Sequence, residues 1–231
     1  LEMSFGLALD RLFGLNLSRP DWARIGQASE NRYIGVQSGL LDQFSSLFGQ
    51  RDSLILCDFR TVEVLRTVQV PPGYVFVVAN SRVKHDLVDS DYNVRRQSCE
   101  RAAAVLGRLH PQVKALRDVS SAMLAAARDQ LDHQDFLRAR HVVEENERVM
   151  AGVQALDAGD VAAFGKLLYA SHESSRFNFE NSCPELDGLV ELSTSIPGCR
   201  GARLSGGGFG GITIHLVEEA AAESFCGRLR A

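Results

Sequence analysis

The chain has 231 residues, of which 45% are apolar, and a formal net charge of −4, which suits a folded protein with a substantial core. The mixed charges provide no basic surface for nucleic acid or membrane partners, and no apolar run reaches the roughly 18 residues of a membrane span. The five cysteines, an odd number without a Cys-x-x-Cys pair, indicate neither a disulfide framework nor a zinc site and favour a reducing, cytoplasmic location.

The first predicted element is a helix over residues 1–13, with its apolar residues on one face. No capping residue precedes this helix, so the sequence starts inside it. We therefore expect a chain that is shortened at its front end. The predicted apolar face consists of Leu1, Phe5, Ala8, Leu9, Leu12 and Phe13.

A second helix is predicted from an N-cap at Ser18 to about Asn31, because Pro20 and Asp21 then occupy its first turn. A third helix follows Gly39 and has two different faces. The core face is formed by Leu40, Phe44, Leu47 and Phe48, and the opposite face is small and polar, with Asp42, Ser45, Ser46 and Gly49. That second face is free for a function.

Three strand-like runs come next, over residues 53–58, 62–70 and 74–80. The last of these, Tyr-Val-Phe-Val-Val-Ala-Asn, is apolar enough to be buried on both faces. A Pro-Pro-Gly turn at residues 71–73 separates it from the preceding run. We predict a domain boundary there, with domains at 1–73 and 74–231.

The rest of the chain is mainly helical in pattern. Asp160 is a predicted N-cap, and Ser182 and Glu185 have the spacing of a capping box. A strand, Ile-Thr-Ile-His-Leu-Val, and an amphipathic helix end the sequence. The predicted helices lie near 93–106, 119–130, 135–158, 161–175 and 184–195.

The sequence Arg-Leu-Ser-Gly-Gly-Gly-Phe-Gly-Gly-Ile at residues 203–212 contains five glycines, each of which costs backbone entropy on folding. A dinucleotide-binding turn is excluded because the loop leads into a strand rather than a helix, and a P-loop is excluded because no Gly-Lys-Ser/Thr follows. An anion nest, close approach of another backbone or a ligand, and a tight turn remain. We favour close approach to a ligand.

These residues resemble the third signature motif of the GHMP small-molecule kinases. Three further stretches are similar to the galactokinase branch of that family. Residues 30–50 resemble a run ending in Gly-Ile-Met-Asp-Gln. Residues 79–100 resemble an Asn-Ser-x-Val-x-His and Tyr-Asn-x-Arg-Arg segment. Residues 171–192 resemble a Ser-His-x-Ser-Leu-Arg to Cys-Pro-Glu-Leu-Asp segment. The resemblance covers nearly the whole chain in the right order.

The resemblance implies specific site residues. Asp42 matches the base, or electrostatic partner, for the sugar hydroxyl that attacks the γ-phosphate of ATP. Tyr92 matches a tyrosine that hydrogen-bonds the sugar, and Gly39 a position where backbone meets sugar. ATP and Mg²⁺ are the implied cofactors. The loop implied to lie near the phosphates comprises Gly206, Gly207, Gly208, Phe209 and Gly210.

The implied fold is α+β, with part of an N-terminal GHMP lobe followed by a ferredoxin-like lobe of helices on an antiparallel sheet. Two galactokinase motifs, Gly-Arg-x-Asn-Leu-Ile-Gly-Glu-His and Gly-Leu-Ser-Ser-Ser-Ala, are missing from this sequence. A further departure is Ser-Ser-Arg-Phe-Asn-Phe-Glu-Asn at residues 174–181, where the family usually has Leu-Arg-Asp-Asp-Tyr-Glu-Val. Phe177, Asn178 and Phe179 thus replace two acids and a tyrosine.

The resemblance implies transfer of the ATP γ-phosphate to the anomeric hydroxyl of galactose, with little or no activity expected from these residues alone. The alternatives are a kinase for another sugar and a non-catalytic sugar sensor. We expect no metal site built by the protein itself, and structural roles for His85 and His172. Arg95 and Arg96 are expected on a solvated helix face or in ion pairs at a domain interface.

Overall fold

The structure is a computed structural model that describes residues 1–35, 37–83 and 88–230, with residues 88–90 described by their backbone only. It divides into two compact units, Leu1–Val70 and Pro71–Ala231. The predicted domain boundary at residue 73 lies a few residues beyond this division.

In its described residues the first unit contains three α-helices, a π-helical turn at Glu30–Ile34 and a two-stranded antiparallel sheet. Ser18 caps the second helix as predicted, since its side chain accepts a hydrogen bond from the Asp21 amide. The elements are α1 Glu2–Phe13, α2 Arg19–Ser29, α3 Leu41–Phe48, β1 Ser53–Asp58 and β2 Glu63–Gln69.

The core of the first unit surrounds Trp22, which is 7% exposed. α1 contributes Met3 and Gly6, and a Cβ at Gly6 would touch the indole ring of Trp22. The apolar face predicted for α1 is not its buried face, because Phe5, Leu12 and Phe13 and most of their neighbours on that face are exposed. Packing against Trp22 selects the narrower Met3–Gly6 side. The core residues are Met3, Trp22, Ala23, Leu40, Phe44 and Leu47.

The described part of the second unit combines helices with a three-stranded antiparallel sheet of order β3-β5-β4. The prediction of an α+β fold with an antiparallel sheet is confirmed. The elements are β3 Tyr74–Asn80, α4 Val88–Leu109, α5 Ser121–Ala126, α6 His133–Asp157, α7 Val161–Ser174, α8 Pro184–Thr194, β4 Cys199–Ser205, β5 Ile212–Glu218 and α9 Ala222–Arg230.

β3 lies at an edge of this sheet, so the prediction that it is buried on both faces is wrong. Its residues are half-buried or exposed, and Val78 is 58% exposed. A run of apolar residues is compatible with either position in a sheet. The central position belongs to β5, in which Thr213, His215 and Val217 are fully buried.

Two features of the helices depart from their predicted form. The helix predicted over 119–130 is only the short α5, flanked by 3₁₀ turns at Leu116–Asp118 and Arg128–Gln130. The predicted capping box at α8 is absent from the described residues, because Cys183 occupies the N-cap position without a side-chain hydrogen bond. Ser182 instead donates to the Asp187 carboxylate at 2.5 Å. The cap at Asp160 is confirmed, since its carboxylate accepts from the Ala163 amide.

Candidate functional site

Gly39 and Asp42 lie at the start of α3, in the first unit. Asp42 occupies the first helical turn and is exposed, because Phe44 and Leu47 bury the other side of the helix. Gly39 is also exposed, and a Cβ added to it would have no heavy atom within 4 Å. The helix dipole favours negative charge at this end. The segment therefore presents a carboxylate beside an open stretch of backbone.

A polar network that the sequence did not reveal holds this segment in place. Gln43 is 2% exposed, and its amide donates to Glu30 Oε1 at 3.1 Å. The other Glu30 oxygen accepts a short hydrogen bond from the Ser38 hydroxyl, and Gln27 donates to the Ser38 carbonyl at 3.0 Å. The chain immediately before Gly39 is thus tied to α2 and the π-helical turn that follows it.

The glycine loop, residues 206–211, connects β4 to β5 in the second unit. Its backbone occupies the left-handed region at several positions, with φ of +88° at Gly206, +85° at Gly208, +144° at Gly210 and +82° at Gly211. Phe209 also has a positive φ, of 60°. Such angles are unfavourable for residues with a Cβ, which explains why most of the loop is glycine.

Two glycines are required for close approach of the protein's own backbone. A Cβ at Gly208 would overlap the carbonyl oxygen of Asn181, and a Cβ at Gly210 would lie 2.7 Å from the carbonyl oxygen of Val83. At these two positions the backbone explains the glycine without a ligand, which corrects our sequence-based preference for a ligand. Gly206 has no heavy atom within 4 Å of an added Cβ.

Hydrogen bonds from distant segments hold the glycine loop on both sides. On one side the Phe209 amide donates to the Asn181 carbonyl at 2.6 Å, and the Asn181 side chain donates to the Gly207 carbonyl at 3.0 Å. On the other, the Ser81 amide and hydroxyl donate to the Gly211 carbonyl at 2.8 and 2.9 Å. The conformation of the loop is therefore fixed by tertiary contacts.

Tyr92, the predicted sugar-binding residue, lies against this loop. It is half-buried on α4, and a Cβ at Gly207 would sit 3.6 and 3.7 Å from Cδ2 and Cε2 of its ring. The structure thus brings Tyr92 together with the predicted loop within the second unit.

Arg95 has a role that the sequence analysis missed. It follows Tyr92 by three residues on α4, and its guanidinium carbon lies 5.5 Å from the centroid of the Phe209 ring. It also donates to the carbonyl oxygens of Phe179 and Glu180 at 2.8 and 2.9 Å. The prediction of a solvated or ion-paired side chain is wrong for Arg95. Arg96 does form an exposed ion pair with Glu100.

The segment that departs from the family pattern lies beside the loop. It includes a π-helical turn at Ser175–Phe179 and is anchored by Arg138, which is 1% exposed. Arg138 donates to the Asn178 carbonyl and pairs with the Glu180 carboxylate, both at short range. A buried arginine with several acceptors is a strong structural anchor, so the substituted residues belong to a fixed part of the fold.

His172 is a buried residue behind β4, which agrees with the structural role expected from the sequence. Its Nδ1 accepts from the Leu204 amide at 3.3 Å, and its Nε2 lies 3.2 Å from Asp187 Oδ1. Burial lowers the pKa of His172, against the opposing influence of Asp187. His85 lies outside the described residues.

Within the described ranges, no group of three or more His, Cys, Asp or Glu side chains is arranged to bind a metal ion. Over the same ranges, no helix combines the length and the apolar character that a membrane crossing requires.

Comparison with known proteins identifies the family. Two family models match the chain, "GHMP kinases N terminal domain" over residues 1–50 and "GHMP kinases C terminal" over residues 153–231. The chain belongs to the GHMP kinase family. The fold prediction based on that family is confirmed.

Several relatives within the family are galactokinases. The chain is 42% identical to a galactokinase of Roseiflexus sp. over 97% of its own length, and 44% identical to one of Actinobacillus pleuropneumoniae over 95%. It covers only 57% and 56% of those proteins. The chain therefore spans little more than half the length of these relatives.

Solved structures show the same similarity. The crystal structure of Lactococcus lactis galactokinase complexed with galactose matches with a TM-score of 0.92 and 36% identity, over 99% of this chain and 59% of that one. L. major mevalonate kinase in complex with R-mevalonate matches with a TM-score of 0.60 and 20% identity, over 99% and 59%. The second match shows a shared fold only.

Proposed function

We propose that this chain supplies part of a galactokinase, an ATP-dependent enzyme that phosphorylates the anomeric hydroxyl of galactose. The observation that carries the proposal is the packing of Tyr92 on the glycine loop, in a fold that matches a galactose-bound galactokinase with a TM-score of 0.92. We propose ATP and galactose as the substrates because the chain is similar to galactokinases. A cytoplasmic location, where ATP is available, is part of the proposal.

In the proposed reaction, the sugar hydroxyl oxygen forms a bond to the γ-phosphorus while the bond from that phosphorus to the β-phosphate oxygen breaks, releasing ADP. Phosphoryl transfer depends mainly on positioning and on compensation of charge. Asp42 is exposed in the first turn of α3, where its carboxylate can accept the hydrogen bond, and then the proton, of an incoming hydroxyl.

The remaining site residues of the proposal contribute to binding. Tyr92 offers its hydroxyl to the sugar, and Gly39 allows the sugar to approach the backbone closely. The glycine loop lies near the phosphates in this proposal, and its exposed residues Gly206 and Gly207 can present their backbone to an anion. Mg²⁺ enters the proposal together with ATP, whose phosphate oxygens it would bind.

Phosphate transfer tests the proposal directly. The sequence lacks two galactokinase motifs, so we expect these residues alone to have little or no activity. The N-terminal part of the Lactococcus lactis enzyme, up to the position aligned with Leu1, should be fused to the chain. We expect this chimera to produce galactose 1-phosphate from Mg-ATP and galactose in a coupled assay.

Asp42→Asn in the chimera should lower kcat by about 100- to 10,000-fold, the range for loss of a general base. Folding should be unchanged because the side chain is exposed. Asp52→Asn is the matched control, since Asp52 is also an exposed aspartate of the first unit, with 77% of its side chain accessible. Equal activity of the two variants would contradict the assignment of Asp42.

The alternative to this function is non-catalytic sugar binding. Saturable galactose binding to the chain and the chimera, without turnover in either, would support it. Turnover with a different sugar only would indicate a GHMP kinase of another specificity.

A further inference from the structure

Asn181 holds the centre of the glycine loop by two hydrogen bonds. Its side-chain amide donates to the Gly207 carbonyl at 3.0 Å, and its own carbonyl accepts from the Phe209 amide at 2.6 Å. The two bonds flank Gly208, where a Cβ would overlap the Asn181 carbonyl. The loop is thus held against Asn181 with no room for a side chain between them.

Asn181 is itself held in place by hydrogen bonds from other segments. Its amide donates to the Ser175 carbonyl at 3.2 Å. The two residues before it are fixed by Arg95, which donates to both of their carbonyl oxygens. The carbonyl of Asn178 is fixed by the buried Arg138. The base on which Asn181 sits therefore consists of charge-assisted hydrogen bonds, which are stronger than neutral ones.

The asparagine side chain is not explained by stability alone. Asn181 is 6% exposed, and its Oδ1 is buried without a hydrogen-bond partner among the described residues. A buried acceptor without a partner is unfavourable for folding. The family pattern quoted above has valine here, which would retain the backbone bond to Phe209 but would lose the bond to Gly207.

We propose that Asn181 is a positioning residue that holds Gly207 against Tyr92 and thereby sets the place of the tyrosine that meets the sugar. The two residues are neighbours, since a Cβ built on Gly207 would lie 3.6 Å from Cδ2 of the Tyr92 ring. This inference deepens the proposed function, and its sugar-binding part rests on that function.

Amide hydrogen exchange, followed by NMR on the isolated chain, tests the structural part. Asn181→Val should accelerate exchange of the Phe209 amide by about tenfold, because the loop opens locally more often. Exchange in the middle of β5 should not change. Asn178→Val is the matched control, because the Asn178 amide donates to the Ser174 hydroxyl at 3.1 Å rather than to the loop.

Steady-state kinetics of the chimera test the sugar-binding part. Asn181→Val should raise the KM for galactose about tenfold with little change in kcat, the pattern of a lost binding interaction. Asn178→Val should leave both constants near their parent values. If Asn181 only contributed to overall stability, its substitution would not raise KM selectively. It would also not accelerate exchange of the loop amides more than that of other amides.

Asn181→Leu provides a second variant of nearly the same shape that lacks the amide donor, for use if the valine protein does not fold. The inference is overturned if both Asn181 variants leave loop exchange at the parent rate, or if exchange rises equally in β5. It is also overturned if loop exchange rises but the KM for galactose does not. A chimera that never phosphorylates galactose counts against the proposed function, while loop exchange still decides whether Asn181 holds the loop.

Discussion

The start of α3 and the glycine loop reach their conformations in opposite ways. Asp42 and Gly39 lie on an exposed helix start held by nearby residues, such as Glu30, 13 positions before Gln43. The glycine loop is held by residues far away in sequence, with 130 positions between Ser81 and Gly211. The Asp42 carboxylate can meet a ligand as soon as the helix start exposes it. The glycine loop has unfavourable backbone angles and therefore needs hydrogen bonds from distant segments to hold its conformation.

The two regions also differ in the space around their glycines. Gly39 is surrounded by open space, while Gly208 and Gly210 are pressed against carbonyl oxygens. Substitution in the first region should therefore affect ligand binding alone, and substitution in the second should affect the fold as well.

The largest effect is expected for Gly208→Ala. Alanine at a φ of +85° is unfavourable, and its Cβ would displace the Asn181 carbonyl and weaken its bond to Phe209. We expect the free energy of unfolding to fall by about 4 kcal/mol, from left-handed strain and the lost hydrogen bond together. Chemical denaturation of the purified chain measures this change.

Gly206→Ala is the control for that prediction. Its φ of +88° is almost the same, but a Cβ there meets no heavy atom within 4 Å. Gly206→Ala should lower the free energy of unfolding by only about 1 to 2 kcal/mol, because alanine is unfavourable at a left-handed backbone angle. Equal losses for the two variants would show that crowding by Asn181 is unimportant.

A smaller effect is expected from pH, and only in the second unit. Burial lowers the pKa of His141 and of His215 from the usual 6.5 to about 4. Between these values the unfolded chain binds protons that the folded chain does not, so stability falls as the pH falls. From pH 7 to pH 5 we expect a loss of about 2 kcal/mol for each of these two histidines. Glu145 adds a further loss below that range. Burial acts to raise its pKa, but the charge of Arg203 and hydrogen bonds from Arg148 and Ser171 outweigh burial and lower it.

The sequence provides a probe for each unit. Residues 1–70 contain no histidine and include the one tryptophan, Trp22, whose fluorescence reports on the first unit. Amide exchange in α6 reports on the second. His141→Gln should remove about 2 kcal/mol of this loss, as measured by exchange in α6. The same pH dependence in Trp22 fluorescence and in α6 exchange would refute the assignment to these two histidines.

The smallest effect on stability is expected for Gly39→Ala. The added Cβ meets no heavy atom within 4 Å, so the free energy of unfolding should change by no more than about 0.5 kcal/mol. If backbone meets sugar here, the methyl group should still raise the KM for galactose in the chimera. Denaturation and kinetics on the same preparation separate the two effects, and an unchanged KM would remove Gly39 from the proposed site.

Local features of the fold were predictable from sequence where the physical cause is local. The caps at Ser18 and Asp160 are confirmed because a side chain and an amide three residues on decide them. The edge position of β3 was not predictable, since it depends on which strands pair. The buried side of α1 was missed because it is set by contact with Trp22, and the role of Arg95 because its acceptors lie 84 and 85 residues away.

The candidate site also has some features that depend on local sequence and others that depend on contacts between distant segments. The resemblance of short stretches of sequence to a known family selected Asp42, Tyr92 and the glycine loop as candidates, and their roles stay a prediction. The contact of Tyr92 with Gly207 and the bonds from Asn181 appear only in the folded chain. Asn181 carried no signal beyond its departure from the family pattern.

By itself the sequence determined the family, the helix caps and the places where the backbone must adopt left-handed angles, since each depends on residues close together in the chain. Tertiary structure alone decided which strand is central, which arginine is buried and how the glycine loop is held. Those outcomes depend on hydrogen bonds and packing between segments that are distant in sequence, and their energies exist only once the chain has folded.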